Sequence, residues 1–144
     1  MTVQLCNCVL VVVSVDAELE KWSAGQTEDV IISQWREVSA DERHHMREHV
    51  EEILRPLGFQ TSLLVIERAN SLALIFLCMT LSALMSLLDQ WRTQRLRDIV
   101  TELFTFLSSG SVRHRFYVKR LSWPLTDYER CLEFFSFLKG KRWI

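Results

Sequence analysis

His45-Met46-Arg47-Glu48-His49 is the stretch whose residue types and spacing could most directly do chemistry. On a helix, residues three and four apart share a face, so one turn would present two imidazoles and a carboxylate, the donor set of the inverted zinc-protease motif His-x-x-Glu-His. The rest of the chain does not complete the motif. His44 adjoins it, the segment is short and highly charged, no third ligand is identifiable, and 144 residues is small for a protease. A match of this length has many chance occurrences, so the expectation is solvated helix surface and no bound metal.

Other reactive arrangements are weaker still. No serine or cysteine sits in a nucleophile-elbow context, and with four glycines in the chain there is no Gly-rich phosphate loop. Paired carboxylates such as Glu51-Glu52 fall on the polar side of a helix. The expectation is a protein that is not an enzyme, with no cofactor and no small-molecule substrate. Cys6, Cys8, Cys78 and Cys131 lie in or beside apolar segments without a framework spacing, the usage expected of reduced thiols in the cytosol. Arg113-His114-Arg115-Phe116-Tyr117-Val118-Lys119-Arg120 mixes cations with aromatics, as an RNA-reading sheet does. An RNA-recognition domain would carry its aromatic signature on the third strand, where Leu72 to Leu77 has neither the glycines nor the cation. A charged edge strand is the simpler reading, and an RNA-binding ferredoxin-like domain remains the alternative.

The elements that position these residues follow from hydrophobic rhythm. From Ala69 to Leu88 the chain carries no charge, a length that could cross a membrane. Residues 71–88 as a single membrane span are therefore a further alternative. The texture favours two elements instead: Asn70-Ser71 is a turn signal, Leu72 to Leu77 is a run of strand length, and from Thr80 the apolar residues recur at helical spacing. One long helix is expected to continue through Leu96, Ile99, Val100, Leu103 and Leu107 and to stop at Ser108-Ser109-Gly110. Met1 to Ala17 lacks the basic start of a signal peptide, and its valines suit a strand.

In chain order, a first strand spans about Cys8 to Val15, with Asp16 capping a helical turn or two over Ala17 to Trp22, followed by a loop at Ser23-Ala24-Gly25-Gln26. Val30 to Val38 could be a short helix after Thr27 or an edge strand. Ser39-Ala40-Asp41-Glu42 has the form of a capping box and opens a helix with the stripe Met46, Val50, Ile53, Leu54 and Leu57, ended by Pro56 and Gly58. Leu63 to Glu67 and Leu72 to Leu77 form a hairpin, and Val112 to Leu121 is the fourth strand. Pro124 and the Thr126-Asp127-Tyr128-Glu129 capping box start a last helix, with Gly140 after its end. Phe134, Phe135 and Phe137 surround most of that helix with apolar side chains, and Lys139-Gly140-Lys141-Arg142-Trp143 follows.

This order fits two split βαβ units in a single domain, residues 1–144. The expected fold is an α/β (α+β) two-layer sandwich: a ferredoxin-like four-stranded antiparallel sheet with helices on one face and an added C-terminal helix. Strands one and three are apolar throughout and belong inside the sheet. Strands two and four carry Glu67, Arg68, Arg115, Lys119 and Arg120, the protection of an edge. Alternation sends Val11, Val13, Leu64, Ile66, Ala73, Ile75, Phe116 and Val118 toward the helices. Leu10, Val12, Ser14, Val65, Glu67, Leu72, Leu74, Phe76, Arg115, Tyr117 and Lys119 are left on an open platform that should bind something. Charge is graded: residues 1–60 hold eleven acidic and five basic side chains, and residues 111–144 hold three and eight, which implies two unlike surfaces.

Local matches then add a family. Asp127-Tyr128-Glu129-Arg130-Cys131-Leu132 is close to that family's Asp-Glu-Glu-Arg-Cys-Leu. Ser111-Val112 at a strand entry, Trp91-Arg92 to Leu96-Arg97 in a long helix, and Leu19-Glu20-Lys21 after strand one also correspond. In these residues and in element order the chain resembles the N-terminal domain of the TRADD family, the death-domain adaptors of tumour-necrosis-factor receptors. The resemblance implies a cytoplasmic, non-enzymatic adaptor in TNF-receptor-like apoptotic or inflammatory signal transduction, gripping the C-terminal domain of a TNF-receptor-associated factor (TRAF) with its open sheet face. The implied contacts are Val12 and Ser14 on strand one, Glu67 and Ala69 at the end of strand two, Leu74 on strand three, Lys119 on strand four, and Arg142 with Trp143 after the last helix. It implies no nucleic-acid partner and no membrane insertion. Departures exist: aromatic residues of the family are Val12 and Ser14 here, a histidine and a serine are Glu67 and Ala69, the loop after strand four is shorter, and no death domain is expected in this chain.

Overall fold

The valines of the first apolar run leave little χ1 freedom for a helix and suit a pleated, two-sided surface. In the computed structural model, which describes residues 8–19, 24–40, 44–69, 71–108 and 116–141, they form the start of β1 (Val9–Leu19). There follow α1 (Ala24–Ser39), α2 (His44–Leu54), a 3-10 turn over Arg55–Leu57, β2 (Thr61–Arg68), β3 (Leu72–Cys78), α3 (Leu81–Arg92), α4 (Arg95–Ser108), β4 (Phe116–Ser122) and α5 (Leu125–Lys141). The four strands form one antiparallel sheet in the order β2-β3-β1-β4. The two strands without charge over most of their length, β1 and β3, are thus interior, and the charged β2 and β4 are the edges.

The uncharged run breaks where its rhythm changes. β3 ends at Cys78, and Thr80 caps α3 by accepting a hydrogen bond from the Ala83 amide at 3.1 Å. No helix among the described residues is long and apolar enough to cross a membrane, so the membrane-span reading of residues 71–88 is replaced by a strand and a helix. The helix that follows is two helices rather than one. Thr93 Oγ1 donates to the Asp89 carbonyl at 2.9 Å and Gln94 turns to a φ of 68°, which closes α3 before α4 begins. The two halves pack on different neighbours, α3 against β2, β3 and α5, and α4 against β4, α1 and α2. A straight rod could not serve both sets.

Near the N-terminus, pairing overrides local signals. Ala17, Glu18 and Leu19 continue β1 because β4 pairs with them, Ala17 opposite Val118 and Leu19 opposite Phe116, instead of entering the expected helical turn after Asp16. Residues 24–26 begin α1 where a loop was expected, and Val30 to Val38 lie within that helix, which removes the edge-strand reading. Ser39 is the last residue of α1, not the cap of α2, and the Ala40 amide donates back to the Arg36 carbonyl at 3.0 Å. Pro56 sits in the 3-10 turn, and Gly58 stops it at a φ of 91°, a conformation that asks for glycine. Leu125 opens α5 and places Thr126 inside it, with the Asp127 amide donating to the Pro124 carbonyl at 3.0 Å, while Gly140 falls within the helix instead of after it.

Cross-strand pairing fixes which face each residue occupies. Val11 pairs with Phe76, Val13 with Leu74 and Val15 with Leu72, and all six are buried under the helices with Ile31, Leu84, Leu96, Leu103 and Phe104. Removing each such large side chain from water contributes about 1.5–3 kcal/mol. The expected face of strand three is therefore inverted: Leu72, Leu74 and Phe76 point into the core, and Ala73 and Ile75 point away from it. β3 is apolar on both of its faces, so alternation along it carried no phase, and one residue of slip exchanges every side chain.

Candidate protein-binding surface

The face of the sheet opposite the helices is built from rows that run across the strands. Val65, Ile75 and Val12 stand side by side through the β2–β3 and β3–β1 ladders; Glu67, Ala73, Ser14 and Ser122 form the next row; Ser62, Leu77 and Leu10 form the row on the other side. Exposure makes the centre of this surface apolar: Leu10 is 57% exposed, Val12 42% and Val65 39%, with Ile75 and Leu77 half-buried between them. Asp16 opposite Arg120, together with Glu67, supplies charge at one end.

Both edges carry a bulge and a side-chain cap. Leu64 is the unmatched residue between Leu63 and Val65 on β2, and its carbonyl accepts from Trp35 Nε1 at 3.4 Å. Lys119 is the unmatched residue on β4, between Val118, opposite Ala17, and Arg120, opposite Asp16. On that side Arg97 donates through Nε and Nη2 to the Val118 carbonyl at 3.1 and 2.7 Å, and Trp91 Nε1 donates to the Leu121 carbonyl at 3.4 Å. Bulged and capped edges resist addition of a further strand, so what the sheet offers a partner is its face.

Beyond Ser14, toward Val9, β1 has no β4 partner, and α5 lies along that length: the Cys131 thiol donates to the Leu10 carbonyl at 3.9 Å, with Phe135 buried and Tyr128, Leu132 and Phe134 packed on the core. The helix closes this flank and leaves Leu10 and Val12 in solvent. Phe137, on its outer side, is exposed.

Of the residues that the family resemblance assigned to a partner contact, Val12, Ser14 and Glu67 come together in adjacent rows of the open face. Ala69 is exposed in the β2–β3 turn, where its amide donates to the Ser71 carbonyl at 2.7 Å, and Lys119 is exposed at the β4 bulge. Leu74 is a correction. It is 0% exposed on the helix-covered face and touches no partner surface. Arg142 and Trp143 lie outside the described residues, as does the side-chain placement of Tyr117; Arg115 is outside them altogether. Ile75, half-buried beside Val12, belongs to the surface and was assigned to the opposite one; only the β1–β3 register reveals it. Leu64, expected to face the helices, is exposed because the bulge breaks alternation there.

The histidine motif has a structural role on one side. His49 stacks on Phe106 of α4 with ring centroids 4.2 Å apart and planes 1° from parallel, while the side chain of His45 lies outside the described residues. Cys78 and Cys131 are free thiols, whereas Cys8 is disulfide-bonded, which corrects the expectation of reduced cysteines there; Cys6 is outside the described residues. Burial pushes the Cys78 thiol from 9.0 up to about 11 and raises that of Cys131 as well, so neither is an activated nucleophile.

Comparison with protein-family models, with curated proteins and with solved structures finds no match to this chain.

Proposed function

We propose that this domain is a non-enzymatic adaptor module whose open sheet face binds the C-terminal domain of a TRAF-type signalling protein, in cytoplasmic signalling of the TNF-receptor kind that leads to apoptosis or inflammation. In this reading the fold is a ferredoxin-like two-layer sandwich: strand order four-one-three-two, hairpin connection between the second and third strands, helices on one face, and α5 added at the flank. The observation that carries the proposal is the exposed apolar strip Leu10, Val12 and Val65 on the open face of the sheet. Apolar anchors at the centre of such a patch supply most of the affinity, and charged residues at its rim, here Glu67, Arg120 and Lys119, orient the partner.

Support also comes from what the molecule does with its other surfaces. The edges are capped by Trp35, Trp91 and Arg97, which disfavours recognition by strand addition. The departures replace strand-one aromatics of the resembled family with Val12 and Ser14, and a histidine and a serine with Glu67 and Ala69. Together with the rim cations they favour a partner whose matching surface is apolar, with a cation facing Glu67 and acidic groups facing Lys119 and Arg120.

The test is a calorimetric titration of the purified domain with purified TRAF C-terminal domains. Saturable heat with co-elution on gel filtration is the expected result. Absence of both across the TRAF set, with the domain folded by circular dichroism, would overturn the proposal.

A further inference from the structure

At the β4 edge, bordering the open face at Lys119 and Arg120, the α3–α4 junction and the edge strand enclose a cleft of about 440 Å³ lined by Trp91, Arg92, Gln94, Arg97, Lys119, Arg120 and Leu121. Four of these side chains are cationic and none is a carboxylate. The whole chain has a formal charge of −1, so this concentration of positive charge is local and does not reflect composition. Like charges gathered in one concavity repel, and their field is focused by the low-dielectric walls. Among the described residues, neither Arg92 nor Arg120 is in an ion pair; the nearest carboxylate across the ladder is Asp16, opposite Arg120.

The cleft is also held in shape. Arg97 is half-buried and fixed by its two bonds to the Val118 carbonyl, so one guanidinium is oriented before any ligand arrives. The left-handed turn at Gln94 brings the end of α3, at Arg92, and the start of α4, at Arg95, together beside the lining. The opposite dipole ends of the two helices offset each other there, so the positive potential is that of the side chains. Lys119 is placed by the β4 bulge, which interrupts the alternation that would otherwise assign it to one face of the sheet.

We infer that this cleft is a binding site for a phosphoryl group. Guanidinium forks match the paired oxygens of a phosphate or pyrophosphate, and several converging cations suit a dianion better than a single carboxylate. The volume leaves room for the molecule to which the phosphoryl group is attached. The site stands on different residues from the apolar strip apart from Lys119 and Arg120 at their common border, and the inference does not rest on the adaptor reading.

The experiment is isothermal titration of the folded domain with sodium pyrophosphate at low ionic strength. It compares wild type with the double variant R92Q/R120Q and with the control R55Q/R130Q, which removes the same charge from other exposed positions. Single-site binding is expected, weakened about tenfold or more in R92Q/R120Q, little changed in the control, and reduced by added salt. Arg97 is left intact because it ties down β4. No saturable binding in wild type, or equal weakening in both double variants, overturns the site. Vesicles of phosphatidylcholine with and without a phosphoinositide then identify the source. Vesicle binding displaced by pyrophosphate supports the site with a lipid headgroup as its occupant, and pyrophosphate binding without vesicle binding supports it with a soluble one. A short single-stranded RNA that binds without competition from pyrophosphate, where pyrophosphate itself gives no saturable heat, is the signature of a different, nucleic-acid surface and contradicts the inference.

Discussion

Val13 stands opposite Leu74 in the β1–β3 ladder, and both side chains are 0% exposed. Directly paired residues share a face, so this one pair assigns Val11, Val15, Leu72 and Phe76 to the core and Leu10, Val12, Ile75 and Leu77 to the opposite surface. The partition makes Leu74 a core residue and Val12 a surface one. Leu74→Ala is expected to lower stability by about 2–5 kcal/mol, the cost of a large side chain removed from a packed interior. Val12→Thr keeps the branched side chain on the exposed face and is expected to stay within about 0.5 kcal/mol of wild type. Urea denaturation measures both, and the reverse ranking would mean that the register is wrong by one residue.

The junction between the two halves of the uncharged run depends on Thr80. Its hydroxyl accepts from the Ala83 amide and contacts Gln60 Oε1 at 2.6 Å, joining the start of α3 to the residue before β2. Thr80→Ala is expected to cost about 0.5–2 kcal/mol, and Thr80→Ser a small part of that. Thermal unfolding of the two variants checks the difference.

Gln94 holds a left-handed conformation that glycine adopts without steric cost. Gln94→Gly is therefore expected to leave stability unchanged or raise it by up to about 1 kcal/mol, and Gln94→Val to lower it by more than about 1 kcal/mol. Chemical denaturation of the pair tests whether the α3–α4 break is real, since in one continuous helix glycine would destabilise and valine would be tolerated.

Burial raises the Cys78 thiol from 9.0 to about 11, so the unfolded chain loses this proton at lower pH than the folded one. Below the unfolded value the contribution to stability is constant; as pH rises from there toward the folded value it is progressively lost, because the unfolded state binds fewer protons. Stability under reducing conditions should accordingly decline between about pH 9 and about pH 11 and be level just below that window. Cys78→Ala should make the decline shallower, with the raised Cys131 thiol supplying what remains. Alkylation at mildly alkaline pH should modify Cys78 only on unfolding.

Much of the architecture is written in local patterns. Valines in the first run, the stripe Val50 and Ile53 of α2, the stop at Pro56-Gly58, and the charges on β2 and β4 each announce an element or an edge, and the observed strand order places them accordingly. Where the signals failed, long-range partners decided. The extension of β1 to Leu19 exists because β4 pairs with it, and the helix break at Thr93-Gln94 carries no glycine or proline. The site was half legible for the same reason. Val12, Ser14 and Glu67 follow from alternation because Ser14 and Asp16 on β1 and Glu67 on β2 mark the solvent face, whereas Leu74 and Ile75 were exchanged because β3 is apolar on both faces and carries no such marker. The bulges at Leu64 and Lys119 have no signature in residue type.

Val12 stands in the middle of the apolar strip proposed to engage a TRAF C-terminal domain. The direct measurement is the affinity of Val12→Asp for that domain beside wild type, with melting temperature recorded for both. A charge placed in the middle of the apolar row should cost about 2 kcal/mol or more of binding, roughly a thirtyfold rise in Kd, while the melting temperature moves little. An unchanged Kd in a folded variant would contradict the account.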